Sequence, residues 1–163
     1  MSGEIYFRNR QRARKLDLRL FKKILLSALK DLCVGQFELG IHIVGEAEMT
    51  RLNETFLRHK GSTDVITFDY SSPVTHHSSL LCGEIFICID EAIAQAKRFR
   101  TSWQSELVRY AVHGALHLLG HDDKRAAARR KMKSEENRAL RGLEGGFELK
   151  KIAGKIRRNL AAG

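Results

Sequence analysis

The strongest constraint on this chain is the segment of residues 113–123, with the sequence H-G-A-L-H-L-L-G-H-D-D. Apolar residues recur at helical spacing before and through this segment, so His113 and His117 are expected one turn apart on one face of a helix. Two imidazoles placed in this way can share one metal ion. The helix that presents both rings is therefore the element around which the fold has to be built.

Gly120 decides which residue supplies a third ligand. Glycine adopts positive φ without strain and commonly ends a helix, after which the chain can fold back. If the helix ends there, Asp123 returns to the metal, and a carboxylate oxygen is an acceptable zinc ligand. If the helix continues, His121 keeps the spacing of four and becomes the ligand. We favour Asp123, because a glycine inside a helix costs about 1 kcal/mol relative to alanine.

The residue after the first histidine limits the chemistry of the site. Zinc peptidases with this histidine spacing carry glutamate there, as general base for the water on the metal. Here the position is Gly114. The sequence therefore predicts one zinc ion, held by His113, His117 and Asp123, that can act as a Lewis acid without the usual peptidase base.

The net charge favours an anionic partner. Lysine and arginine number 29 against 19 aspartates and glutamates, which gives a formal net charge of +10 at pH 7. A basic surface neutralises phosphates and releases counterions, so it binds nucleic acid in a salt-dependent way. Charge alone does not separate RNA from DNA or anionic lipid. Next to a metal site without a peptidase base, it favours RNA.

Three blocks of sequence resemble the YbeY family of bacterial metal-dependent endoribonucleases. Residues 113–123 are similar to its H-G-x-L-H-L-x-G-x-D-H signature, residues 62–68 to its P-T-D-V-L-S-F block, and residues 82–88 to its G-D-I-x-I strand. Leu52-Asn53, and Met132 with Glu135-Glu136, match the family as well. Several blocks in the right order are far more specific than one motif. The resemblance covers roughly residues 5–140 and leaves about the last twenty residues unmatched.

This resemblance implies a single-strand-specific endoribonuclease that acts in ribosomal RNA processing, at the 3′ end of 16S rRNA, and in ribosome quality control. The implied partners are ribosomal RNA and the ribosome or its small subunit, with one zinc ion and no small-molecule cofactor. His113 is the implied catalytic residue. The family's third ligand is histidine where this chain has Asp123, and its catalytic arginine falls at Leu57, so the adjacent Arg58 is the candidate.

Two other functions remain as alternatives. A zinc-stabilised ribosome-binding or RNA-binding protein without catalysis would keep the charge and the fold, and its metal site would be closed by four protein ligands. A metalloprotease-like hydrolase would use the same helix but needs a general base near the metal. The sequence does not assign a general base for either hydrolase.

Alternating strand and helix patterns predict a single α+β domain, residues 1–163, with a mixed, largely parallel β-sheet packed against helices. The metal-binding helix resembles that of zinc hydrolases. Strands are predicted at residues 4–8, 37–44, 64–70 and 84–89. Helices are predicted at residues 17–32, 46–57, 90–99 with Asp90 as its cap, from Ser102 through the motif, and 124–140. Residues 71–79 are predicted as a polar loop, and residues 144–163 as a basic C-terminal extension.

The cysteines and the apolar segments predict the compartment. Cys33, Cys82 and Cys88 are odd in number and scattered, which favours free thiols in a reducing environment. No segment has the pattern of a signal peptide or a transmembrane helix. We therefore expect a cytoplasmic protein without a membrane partner.

Overall fold

The computed structural model describes residues 1–71 and 80–154. Its strands are β1 (Ser2–Asn9), β2 (Gln36–Val44), β3 (Val65–Asp69) and β4 (Leu80–Cys88). Its α-helices are α1 (Leu18–Asp31), α2 (Glu46–Leu52), α3 (Ile89–Phe99), α4 (Trp103–Leu118) and α5 (Ala126–Gly146). A π-helical turn (Asn53–Leu57) extends α2, and a 3₁₀ turn (Leu149–Ala153) follows α5. Within these two ranges, no helix has both the length and the apolar character needed to cross a membrane.

The strands form one sheet with the order β1-β2-β4-β3. β1 and β4 both run parallel to β2, and β3 runs antiparallel to β4. Parallel neighbours need a long crossover connection, which α1 supplies between β1 and β2. The prediction of an α+β domain with a mixed, largely parallel sheet is confirmed.

The main core lies between one face of the sheet and helices α1 and α4. Leu39 and Ile41 of β2 and Ile85 of β4 are buried there, together with Phe21 of α1 and Leu116 of α4. Most side chains of α4 are buried. A smaller apolar cluster covers the opposite face of the sheet beneath α2. Because α4 is enclosed by the sheet and the other helices, its position is set by packing along most of its length.

α4 approaches β4 very closely at Gly114. A Cβ atom at this position would lie 2.6 Å from Cγ2 of Ile85, whereas carbon atoms in favourable contact are about 3.5–4.0 Å apart. The close contact between helix and sheet therefore requires glycine directly after the first histidine of the motif. A glutamate side chain does not fit there, which is a physical reason for the missing peptidase base.

Two predicted element boundaries were wrong around β4. The strand begins at Leu80 rather than residue 84, and it ends at Cys88, so that α3 already starts at Ile89. Asp90 therefore lies inside the first turn of α3 and does not cap it. Its Oδ2 atom instead accepts a hydrogen bond of 2.7 Å from the backbone N–H of Glu46, the first residue of α2. This contact replaces the side-chain cap that the N-cap residue Gly45 cannot supply.

The last α-helix extends beyond its predicted end, and the chain after it packs on the domain up to residue 154. α5 continues to Gly146, beyond the predicted end at residue 140. The 3₁₀ turn packs on the domain, since the carbonyl oxygen of Ile152 accepts a hydrogen bond of 2.8 Å from the backbone N–H of Asp17. Residues 155–163 of the predicted basic extension, and residues 72–79 of the predicted polar loop, lie outside the described residues.

We expect Gly114→Ala to lower the free energy of unfolding by about 1–3 kcal/mol, because the added methyl group overpacks the contact with Ile85. Gly145→Ala is the matched control, since nothing lies within 4 Å of an added Cβ near the end of α5. Alanine there should leave stability unchanged or raise it by up to about 1 kcal/mol. Urea unfolding measures the free energy of unfolding of both variants. If Gly114→Ala is as stable as the wild type, α4 can shift away from the sheet without loss of stability.

Candidate metal centre

Two histidines of α4 lie on the same side of the helix at its C-terminal half. The ring centroids of His113 and His117 are 4.6 Å apart in an edge-to-face arrangement, and their Nε2 atoms are 3.0 Å apart. The helix that carries them begins as predicted, because the side chain of Ser102 accepts a hydrogen bond of 3.1 Å from the backbone N–H of Ser105. Both imidazoles are partly exposed on a helix that is otherwise largely buried.

α4 ends immediately before Gly120, as the sequence predicted. Gly120 has φ +91°, and its backbone N–H donates to the carbonyl oxygen of His117 at 2.9 Å. The N–H of His121 donates to the carbonyl oxygen of Leu116 at 3.0 Å. These two bonds form a Schellman motif, in which a residue in the left-handed region reverses the chain. The reversal brings Asp123 back toward the two histidines.

The three candidate ligand atoms converge on one point. Oδ2 of Asp123 lies 3.5 Å from Nε2 of His117 and 3.9 Å from Nε2 of His113. Ligand atoms of a tetrahedral zinc ion, each about 2.0–2.1 Å from the metal, are about 3.3 Å apart. Among the residues that the structure describes, these three form the group that could hold a metal ion, and the imidazole of His121 is not part of it.

Both histidines are oriented so that Nε2 faces this point. Nδ1 of His113 lies 2.9 Å from Oε2 of Glu136, and Nδ1 of His117 lies 3.1 Å from the backbone oxygen of His121. An acceptor at Nδ1 places the ring proton there and leaves the lone pair on Nε2. The donor set and its orientation therefore fit a divalent metal ion, and His121 contributes a backbone oxygen rather than its ring.

Glu136 of α5 joins the histidine to two positively charged side chains. Only 4% of this residue is exposed, and its carboxylate accepts hydrogen bonds from Nη1 of Arg109 at 2.5 Å and from Nζ of Lys133 at 3.1 Å. Burial raises the pKa of Glu136, but the hydrogen bonds from His113 and Arg109 and the charge of Lys133 outweigh burial and lower the pKa to about 2. The carboxylate is therefore ionised at neutral pH and can hold its three partners.

Glu136 belongs to the sequence that resembles the family, but no functional role was predicted for it. A signal was nevertheless present, because Glu136 shares a helical face with Met132, Ala139 and Leu143, which are all buried. A carboxylate on an apolar face is rarely buried without a partner. The partner here comes from α4, which the spacing of residues along α5 does not reveal.

A cleft with a volume of about 340 Å³ opens beside His113 and Asp123. The cleft is lined by two buried residues, Tyr110 of α4 and Met132 of α5, and by Asp64, which directly precedes β3. The cleft further contains three positively charged side chains: Arg109, Arg129 and Lys133. A concave site that combines candidate metal ligands with charged and apolar groups is the usual setting of an active site.

Arg58 is not among the residues that line this cleft. It follows the π-helical turn in the left-handed conformation, with φ 54°, and it is exposed. Leu57, at the place of the family arginine, is exposed as well. The arginine of α4 in the cleft, Arg109, was not identified by sequence analysis. A catalytic role for Arg58 stays a prediction.

The geometry can now be compared with known proteins. The family model "Endoribonuclease YbeY" matches residues 6–144. The endoribonuclease YbeY of Elusimicrobium minutum is 36% identical over 121 residues, which cover 74% of this chain and 85% of the relative. The protein of the same name from Finegoldia magna is 33% identical over 143 residues, which cover 85% and 93% of the two chains.

One solved structure supports the fold. A solution structure from Thermotoga maritima aligns with a TM-score of 0.64 and 20% sequence identity, over 95% of this chain and 99% of that chain. The family model spans most of the chain, and both relatives are matched over most of their length. On this evidence, the chain belongs to the YbeY family of endoribonucleases.

Proposed function

We propose that this protein is a zinc-dependent endoribonuclease that hydrolyses single-stranded ribosomal RNA. Membership of the family supports the reaction and the class of substrate. The observation that carries the metal dependence is the convergence of His113, His117 and Asp123 at one edge of the cleft. In this proposal, these three side chains hold one ion, and His113, which also lines the cleft and contacts Glu136, is the catalytic ligand.

The protein groups have distinct tasks in this mechanism. His113, His117 and Asp123 would hold the zinc ion, which would supply Lewis-acid chemistry toward a phosphoryl oxygen or a water molecule. Glu136 holds the ring of His113 in the tautomer that presents Nε2, and the backbone oxygen of His121 does the same for His117. The positively charged side chains of the cleft attract the phosphate backbone of the substrate and stabilise the negative charge that develops on it.

The geometry argues against the two alternative functions. A structural zinc site is closed by four protein ligands, whereas three converge among the described residues, which is the number that a catalytic zinc site uses. A peptidase of the usual kind needs glutamate at position 114, where the contact with Ile85 excludes a side chain. Hydrolysis of RNA is consistent with both observations.

The cellular role proposed here rests on the family and on the charge of the chain. We place the cleavage near the 3′ end of 16S rRNA, with the ribosome or its small subunit as partner and a contribution to ribosome quality control. The basic composition, with a formal net charge of +10, supports binding to the RNA backbone. The cytoplasm, where ribosomes mature, is the proposed compartment.

We expect the purified protein to contain about one zinc ion per chain and to cleave a single-stranded ribosomal RNA oligonucleotide. His117→Ala and Asp123→Ala should lose the zinc and at least about 100-fold of the cleavage rate, because each removes a ligand atom. His121→Ala is the control, since the structure uses only its backbone oxygen. Elemental analysis measures the zinc content. Gel-based cleavage assays with the RNA and with a generic peptide, repeated after treatment with a chelator, measure the activity.

Two outcomes of this experiment would contradict the proposal. If His121→Ala loses zinc while Asp123→Ala keeps it, the third ligand is the histidine. If zinc is bound in the wild type but the pure protein cuts neither RNA nor a generic peptide, the protein is an RNA-binding module with a structural ion.

Glu136→Gln should lower the affinity for zinc about 10-fold to 100-fold, because the amide holds the ring of His113 less firmly than the carboxylate does. The neighbouring Glu135→Gln is the matched control: the Glu135 carboxylate pairs with Arg138 at 2.6 Å on the same helix. Competition with a chromophoric chelator measures both affinities. An unchanged affinity in Glu136→Gln, with the fold intact by circular dichroism, would remove Glu136 from the metal centre.

A further inference from the structure

Arg109 enters the same cleft as the candidate metal ligands. It lies on α4 one turn before His113, and its side chain is 25% exposed. Lys133, which also lines the cleft, is 58% exposed. A charge that is partly shielded from water acts more strongly on a bound anion than a fully solvated one. Arg109 is therefore better placed than Lys133 to act on an anion inside the cleft.

Within the part of the chain that the structure describes, the hydrogen bonds of the Arg109 side chain all come from one nitrogen atom. Nη1 donates to Oε1 of Glu136 at 2.5 Å and to Oδ1 of Asn137 at 2.9 Å, and both acceptors belong to α5. Nε lies 3.9 Å from Oε2 of Glu106, too far for a hydrogen bond. Nη2 has no hydrogen-bond partner in residues 1–71 and 80–154. The edge formed by Nε and Nη2 thus remains available to an incoming group.

This free edge matches the geometry of a phosphate. The guanidinium group is planar, carries five N–H donors and pairs with two oxygen atoms of a phosphate through parallel hydrogen bonds. Because α5 already holds the other side of the group, less conformational entropy is lost when a phosphate binds. The remaining arginine of the cleft, Arg129, instead donates to the backbone oxygens of Asp123 and Lys124 at 3.0 and 3.3 Å.

One carboxylate links this arginine to the candidate metal centre. Oε1 of Glu136 accepts from Arg109, and Oε2 faces Nδ1 of His113. The separation between the guanidinium group and the ligand cluster is therefore set by a single buried side chain. Asp64 and Glu106 add negative charge to the same cleft, so a phosphate is held by specific donors rather than by a uniformly positive surface.

We propose that Arg109 binds a phosphate of the RNA substrate next to the metal centre and that it, rather than Arg58, is the cation that acts on the phosphodiester. This inference rests on the proposed function. It deepens that function by assigning the phosphate subsite to a residue of the metal-binding helix.

The test uses zinc-loaded wild type, Arg109→Gln, Arg109→Lys and Arg58→Gln. We expect kcat/KM for a single-stranded ribosomal RNA oligonucleotide to fall about 100-fold in Arg109→Gln, in the range found when one donor to a developing oxyanion is removed. Arg109→Lys should recover part of the loss, since lysine keeps the charge but not the planar fork. Arg138→Gln, on the exposed surface of α5, is the control variant and should keep kcat/KM within about twofold.

A second measurement does not depend on cleavage. Isothermal titration of zinc-loaded protein with inorganic phosphate should show an affinity about 10-fold lower in Arg109→Gln than in wild type, with the zinc content unchanged. Loss of phosphate affinity in a protein that cuts no RNA would support the phosphate subsite and refute the endoribonuclease proposal.

Three results would overturn the inference. The first is an unchanged phosphate affinity and kcat/KM in Arg109→Gln. The second is a large loss in Arg58→Gln that Arg109→Gln does not show. The third is that Arg109→Gln loses zinc and that added zinc restores its kcat/KM to the wild-type value. Arg109 would then act only by holding Glu136 in place.

Discussion

The close packing of α4 on the sheet is the interaction on which the rest of the structure depends. At Gly114 the helix lies so near to β4 that a methyl group would overlap Ile85. This contact sets the distance of α4 from the sheet and its rotation about its own axis. It therefore also determines which side of α4 faces the cleft. His113, His117 and Arg109 all lie on that side. The glycine that stands in place of the peptidase base therefore also positions the candidate metal ligands.

The buried carboxylate of Glu136 stabilises the same arrangement of helices through hydrogen bonds. A buried charge is destabilising unless it is paired and hydrogen-bonded, and the partners of Glu136 are groups that the proposed reaction uses. Its hydrogen bonds to Arg109 and His113 connect α5 to α4 across the cleft. The same contacts that satisfy the buried charge therefore hold the candidate metal ligand His113 and the proposed phosphate-binding group of Arg109 in one arrangement.

Much of the fold was predictable from the sequence, because the spacing of apolar residues and the helix-ending glycine are local signals. The helix end at Gly120 and the helix start at Ser102 were identified in this way. Contacts between residues of distant elements were not predicted. Asp90 looked like a local cap but hydrogen-bonds to α2, and Arg109 and Glu136 became recognisable only when α4 and α5 lay side by side.

The candidate ligands come from one short stretch of chain. His113, His117 and Asp123 are separated by a single helical turn and a Schellman motif. The entropy lost on closing a loop grows with the logarithm of its length, so this set of ligands assembles with less loss of chain entropy than one collected from remote strands. The coordinating atoms can come together as soon as α4 has formed and its end has turned. The cleft is also lined by residues of α3 and α5, so the proposed binding of metal and the proposed recognition of RNA depend on different degrees of folding.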